Sequence, residues 1–478
     1  MRGNPWIKFV ALVFLAAGTA AAQDANTVIQ NAQKAMGNAQ SIQYSATGKM
    51  GGFGQSWHPG GAWHPTVITS YTRTIDYASG SSKEELARTQ ENPPAQGGEA
   101  PFAGEQKQAN LVSGKYAWNL AANGPQPAVA AADERALLIW LTPHGFLKAA
   151  AENHATAKPG KKGTELSFTA GKNKIVGDVD SQGLVTRTQS WIGNPVLGDM
   201  PVEFVYSDYK DFGGVKFPSH IVEKEGGQML LDLTVSNAQA NVSNAALQVP
   251  EAVQHAELPP VRVTSQKIAD GVWFLAGGTH NSVLIEFKDY VAVVEAPLNE
   301  ARSSAVIAEV KKLVPGKPIK YLVNTHHHFD HSGGIRTYVA EGATVITNAG
   351  NKAFYEAAWK QPRTLDPDKL AQSPKKPVFI TYKDKYVLTD GARSLELYRI
   401  AGDNHNEFMS FGYLPKEKIL IEADDYTPGP PPVPVAAAFG NNLYENLQRM
   451  KLDIVTIAPL HGTVATFADM QKALGKSS

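Results

Sequence analysis

The segment His326-His327-His328-Phe329-Asp330-His331 places four candidate metal ligands, His326, His328, Asp330 and His331, within six residues. Few folds can bring such a run to one point. It follows the apolar Tyr321-Leu322-Val323 and precedes Ser332-Gly333-Gly334, so a short strand over 320–324 should deliver it and a tight turn should lead it into a helix. Alternation at a strand end points His326 and His328 the same way, and these two can share one cation. Asp330 and His331 open the turn and face a second cation, paired sites being about 3.5–4 Å apart. His327 points away by the same alternation and is expected to support or pack. Gly333 and Gly334 let the backbone pass close to the cluster. A histidine tag is terminal and uninterrupted, whereas this run is internal, follows an apolar strand and contains Asp.

Further candidates lie downstream. "AGDNHNEFMS" holds His405 as it enters a strand over 408–413, "KILIEADDYTP" ends an apolar strand in Asp424, and "TIAPLHGTV" ends another in His461. The H-x-H-x-D-H pattern with these partners resembles the metallo-β-lactamase fold family over about residues 265 to 478. That resemblance implies an αββα sandwich for the C-terminal part. It also implies that His326, His328 and His405 bind one metal, that Asp330, His331 and His461 bind a second, and that Asp424 bridges both. Asp425 is the alternative bridge if the strand end slips by one residue. Glu295, closing "VAVVEAP", stands where the family commonly has Asp and is expected to support the turn and not a metal.

The chain has no Cys, so every ligand must come from His, Asp or Glu. Neutral imidazoles with two carboxylates suit a borderline-soft cation; two Zn²⁺ per chain are expected, with iron or manganese as the other choices. A water bridging two metals has its pKa lowered to about 7, and the hydroxide so formed attacks a carbonyl or phosphoryl centre. Asp330 and Asp424 are the expected catalytic groups: the first orients the nucleophile, and the second, or a water on the second metal, passes a proton to the leaving group. Hydrolysis of an ester-like bond is therefore expected, in a thioester, lactone, carboxylic, phosphate or sulfate ester. True β-lactamases of the family generally lack a bridging Asp at the fourth ligand position. Asp424 thus makes the set look like glyoxalase II and lactonase relatives, with β-lactam hydrolysis an alternative. Two other readings are a mononuclear iron redox enzyme of the same fold and a periplasmic lipid-binding protein. Tyr426 and the stiff segment Pro428-Gly429-Pro430-Pro431-Pro432 are candidates for the mouth of the site.

At 478 residues the chain exceeds one ordinary core, and an α+β, two-domain organisation is expected. Lys plus Arg equals Asp plus Glu at 45 each, which disfavours nucleic acid as a partner and leaves a small-molecule substrate. Residues 1–22 read as a signal peptide: Arg2 and Lys8, an apolar run, then Ala20-Ala21-Ala22 before Gln23. Export to a bacterial periplasm follows, with an uncleaved anchor as the alternative; after cleavage no stable membrane span is expected. Residues 23–250 read as an antiparallel β domain. A helix runs from Asn26 towards Met36, and then come strands separated by turns such as Gly213-Gly214 and Gly226-Gly227, with little further helix. This stretch is similar to the curved half-barrel of periplasmic lipoprotein carriers, through "YKDFGGVKFPSHI" and "LLDLTVSNAQANV". Such a sheet could cradle an apolar ligand, mediate dimerisation or form a lid. Trp57-His58-Pro59 and Trp63-His64-Pro65 read as paired hairpin aromatics. A linker over 251–262 precedes the metal-binding domain, 263–478, in which Asn299 to Val314 reads as an amphipathic helix.

Overall fold

A computed structural model describes residues 24–91, 96–99, 101–243, 245–429 and 437–476. The leader-like segment and Pro430-Pro431-Pro432 lie outside them. No described helix is long and apolar enough to cross a membrane.

Asp24 accepts the Thr27 amide and so caps α1 (Ala25–Met36), which ends at Gly37. Val28, Ile29, Ala32 and Met36 recur at helical spacing and pack on a 13-stranded sheet. In that sheet β1 (Ser41–Ser56) pairs antiparallel with β2 (Trp63–Asp76) on one side and with Gln228–Ala240 on the other. β3 (Ser81–Thr89) continues the meander towards one edge at Gly124–Pro127. The chain then crosses through α2 (Ala132–Trp140) and α3 (Pro143–Glu152), enters at the opposite edge with Thr156–Pro159, and winds back to β1. The last returning strand is therefore β1's partner, and the oldest and youngest strands close the middle of the sheet.

The two crossing helices were not expected. "PHGFLKAAAE" contains Pro and Gly and reads locally as a loop, yet Pro143 sits at the first helical turn, where its missing N–H costs nothing. Phe146, Leu147, Ala149 and Ala150 are buried under the sheet, and tertiary burial overrides weak local propensity. The expected linker likewise contains a short helix, Glu251–Gln254, whose Val253 packs on Leu111 and Trp118. Leu258 beyond it is 63% exposed, so the chain leaves the N-terminal sheet there.

The C-terminal part holds two sheets. One has seven strands from Thr264–Ala269 to Phe379–Tyr382; the other has six, from Lys385–Thr389 to Ala465–Thr466. Val283, Ile285, Val294 and Val323 of the first share a core with Leu397, Phe411, Ile421 and Ile457 of the second. The other face of the first sheet, with Leu284, Val293 and Leu322, packs on helices Glu300–Leu313 and Ile335–Glu341. Strands Val291–Val294 and Ile319–Val323 pair in parallel, as do Ile419–Glu422 and Thr456–Pro459. Their C-terminal ends carry Glu295, His326, Asp424 and His461, which puts four separate chain segments at one rim.

Candidate metal centre

All seven expected ligands converge at that rim, in two clusters. Ligand atoms of His326, His328, His405 and Asp424 lie within 4.8 Å of one another. So do those of Asp330, His331, His461 and a residue the sequence reading passed over, His280. Asp424 joins the clusters. Its Oδ2 is 2.6 Å from His405 Nε2 and 3.3 Å from His326 Nε2, while its Oδ1 is 2.9 Å from His331 Nε2 and 3.0 Å from His461 Nε2. Asp425 enters neither cluster. Its carboxyl is buried with both oxygens lacking hydrogen-bond partners.

Hydrogen bonds on the outer nitrogens fix which inner nitrogen is free. Nε2–H of His328 donates to the Ser56 carbonyl at 2.9 Å, leaving Nδ1 bare. Nδ1–H of His461 donates to the Thr279 carbonyl at 3.1 Å, and Nδ1–H of His331 to Glu295 Oε2 at 3.2 Å. The hydroxyl of Thr325 donates to Glu295 and so accepts from His326 Nδ1 at 3.0 Å, which leaves His326 Nε2 without a partner. Glu295 also accepts Asn324 Nδ2 at 2.9 Å. It holds the turn and His331 from behind, as an outer partner does for a ligating imidazole. A buried nitrogen with no partner is costly unless something else fills the place. The bare His326 Nε2 and His328 Nδ1 in one cluster, and His331 Nε2 and His461 Nε2 turned inward in the other, lie beside two carboxylates and fit one or two divalent cations.

Charge at the site points the same way. Burial pushes Asp424 towards its neutral form, but His331, His326, His405 and His461 outweigh it and hold the carboxyl well below the usual range. Asp330 is likewise held low, burial being overcome by His331 and by the His280 hydrogen bond. Burial lowers His331, yet Asp424 and Asp330 raise it well above an ordinary imidazole. The pair of carboxylates thus stabilises positive charge at their centre, which is the charge a bound cation brings.

Part of the site comes from the N-terminal sheet. The end of β1 runs across the ligand turn: Gln55 Nε2 donates to Asp330 Oδ1 at 2.9 Å, and Ser56 binds His328 as above. His327, which belongs to neither cluster, accepts Asn406 Nδ2 on Nδ1 at 2.9 Å and meets Ser56 Oγ through Nε2 at 3.1 Å. Gly54, at φ +73°, lies flat against Phe329; a Cβ there would stand 2.5 Å from the ring. Phe53 and Trp63 pack edge-on against each other, and both meet Phe329. The Trp-His-Pro repeats thus belong to a hairpin docked on the metal-binding part, with Trp57 Nε1 on the Asp403 carbonyl and His58 Nδ1 2.5 Å from Glu407. Tyr426 is packed in the C-terminal core and is not offered to substrate.

The site's open side is set by exposure. His326, His328, His331 and His405 are sealed, whereas the Asp330 and His461 side chains are 31% and 22% exposed. The open side of the cluster therefore lies over Asp330 and His461.

The Metallo-beta-lactamase superfamily model matches residues 275–466. That stretch is a metallo-beta-lactamase superfamily domain. The matched span starts within the strand before His280 and ends after His461, so it encloses every ligand described above. As a member of that superfamily the domain is that of a metal-dependent hydrolase. Among solved structures, a metallo-beta-lactamase from Pontibacter korlensis is 18% identical, covering 45% of this chain and 98% of its own, with TM-score 0.35. A metallo-beta-lactamase from Pseudomonas aeruginosa in its mono-zinc form is 18% identical over 45% of this chain and 96% of its own, at TM-score 0.36. A flavodiiron protein from Giardia intestinalis is 17% identical over 45% of this chain and 59% of its own, also at 0.36. No curated protein matches the chain. The matched span holds all the candidate ligands, and Gln55 and Ser56 lie outside it.

Proposed function

We propose that this protein is an exported dinuclear zinc hydrolase that cleaves an ester-like bond: a thioester, lactone, or carboxylic, phosphate or sulfate ester. The observation that carries the reading is Asp424, whose two oxygens face two different histidine sets at 2.6–3.3 Å. His326, His328 and His405 would hold one cation and Asp330, His331 and His461 the other, with His280 in reach of the second. When bound, such a pair polarises the oxygen of the scissile group and brings the pKa of a water to about 7. The chain's own residues do the positioning. Asp330, fixed through Oδ1 by Gln55 and through Oδ2 by His280 at 3.1 Å, orients the attacking water on the open side. Asp424, ionised and deeper in the site, would take up the proton that the attacking water loses and pass it to the leaving group. The leader-like residues 1–22 support export, which fractionation of expressing cells would check.

The test is a panel of these esters, with β-lactams beside them, assayed on zinc-loaded protein and on His328→Ala. At least one ester class should turn over, and the variant should lose more than the roughly 10–100-fold expected of an outer-partner change. Equal turnover by both proteins, or one iron and no zinc per chain on elemental analysis, would reject the reading.

A further inference from the structure

Away from the metal centre, a cavity of about 260 Å³ lies between the N-terminal sheet and α2. Small-molecule sites run from about 300 to 1,000 Å³, so this one suits a small ligand. Glu223 and Glu225 stand two apart on strand Lys216–Glu225 and share the face that lines it. Arg73 and Glu84 are cross-strand partners on β2 and β3, and Glu134 and Arg135 come from α2.

Most of this charge is already committed. Glu84 accepts the Tyr71 hydroxyl at 2.7 Å and Asn110 Nδ2 at 3.3 Å. Arg135 donates to the Leu111 and Trp118 carbonyls and to Asn110 and Asn119. Arg73 donates to Ser82 Oγ at 3.1 Å. Glu223 is different: it is 3% exposed, and its Oε1 has no hydrogen-bond partner. Glu225 beside it is 2% exposed. Burying a carboxyl without a partner destabilises a fold. A chain that keeps such a carboxyl at a cavity wall, with Glu225 buried beside it, carries a cost that a bound partner would offset.

Both guanidiniums at the cavity are already engaged by protein oxygens, Arg73 by Ser82 and Arg135 by the Leu111, Trp118, Asn110 and Asn119 oxygens, which makes an anion the wrong guest. A bare metal ion is also wrong: none of the converging ligand clusters among the described residues includes these glutamates. Ser82, Gln108 and Asn110 add polar groups to the remaining wall, and Leu86 and Leu231, both buried, with Leu138 beside them supply an aliphatic stretch. We propose that the cavity binds a small organic cation, a primary amine on a short aliphatic body, with its ammonium at Glu223 and Glu225 and its body on Leu86, Leu138 and Leu231.

The test uses the full chain and three probes: hexylamine, hexanoate and calcium chloride. Calorimetry and thermal unfolding should show hexylamine binding and raising the melting temperature, with hexanoate and calcium doing neither at this cavity. Glu223→Gln and Glu225→Gln, made separately and checked for folding by circular dichroism, should each weaken hexylamine binding at least tenfold. His328→Ala should bind it unchanged, which separates this cavity from the metal centre. Binding of hexanoate or calcium that is tighter than that of hexylamine and is lost in Glu223→Gln overturns the proposal. So does hexylamine binding that survives both glutamine variants, or that vanishes with His328→Ala.

Discussion

At the scale of single residues, the two side chains that grip Asp330 carry the sharpest expectations. Gln55 Nε2 occupies Oδ1, and His280 Nε2 occupies Oδ2. Removing an outer partner of a metal-site carboxylate typically costs 10–100-fold in activity or affinity. Gln55→Ala should therefore lower kcat/KM by about that factor at saturating zinc, and Gln55→Glu should do worse, because it sets a second carboxylate against Asp330. Full activity in Gln55→Ala would remove β1 from the site. His280 stands within the second ligand cluster, so His280→Ala should release one metal first: dialysis against a weak chelator should bring the metal-to-protein ratio from two towards one at a concentration the parent resists. A ratio that falls alike in both proteins would make His280 a bystander. The difference in legibility between these residues and the ligands is physical. His326 to His331 are neighbours in the chain, so their spacing is visible in the sequence. His280 reaches Asp330 across 50 residues and Gln55 across 275, contacts that exist only once strands and domains have docked. For His280 the one local signal was its place after Gly277-Gly278-Thr279, at the start of the strand Ser282–Glu286.

At the scale of elements, strand Lys216–Glu225 carries a testable pH dependence. Burial, with Glu134 of α2 adding to it, pushes the Glu225 carboxyl from an ordinary 4.5 up to about 8. The other charged groups around it are Glu223 on its own strand, Glu84 on β3 and Arg73 on β2. A carboxyl with a raised folded pKa binds more protons folded than unfolded. Its contribution to stability is complete below about 4.5 and is lost as the pH rises through about 8. Melting temperature should accordingly fall across that window, by the equivalent of a few kcal/mol at most, and Glu225→Gln should flatten the slope. The scan belongs in amine-free buffers. An identical slope in parent and variant would show that Glu225 is not the group titrating. Elements themselves were legible in proportion to their periodicity. The expected helices Asn26 to Met36 and Asn299 to Val314 appear as Ala25–Met36 and Glu300–Leu313, each opened by an Asp or Asn cap. The antiparallel meander was visible through its Gly-Gly turns. α2 and α3 were not, since their stability comes from burial under the sheet and not from their own pattern.

At the scale of the whole molecule, the N-terminal sheet and the superfamily domain meet at two patches. One is the β1 end on the ligand turn. The other is Arg363, which donates to the carbonyls of Asn194, Pro195 and Val196, together with Asp199, which accepts the Thr364 and Leu365 amides. Only the first touches the metal centre. The His328 imidazole is the link: one nitrogen turns into the ligand cluster and the other donates to Ser56. A cation that binds the folded site stabilises it by mass action, by about 2.7 kcal/mol at a hundred times its Kd. Through His328 and Asp330 that stabilisation should extend into the end of β1, although none of the proposed ligands lies in the N-terminal sheet. Chelation should then speed amide exchange at Gly97, Gly98 and Glu407, which donate to Asn404, Gln55 and Trp57 across or beside this patch. The Asp199 amide, bound to the Pro362 carbonyl in the second patch, should be slowed or sped far less. Hydrogen exchange followed by mass spectrometry, with and without chelator, reads both patches in one experiment. Equal changes at the two would mean that the metal acts on global stability alone. No change at the β1 patch would mean that the contacts to His328 and Asp330 carry no coupling. The predicted outcome, a loosening confined to the first patch, would make the N-terminal sheet a working wall of the metal site.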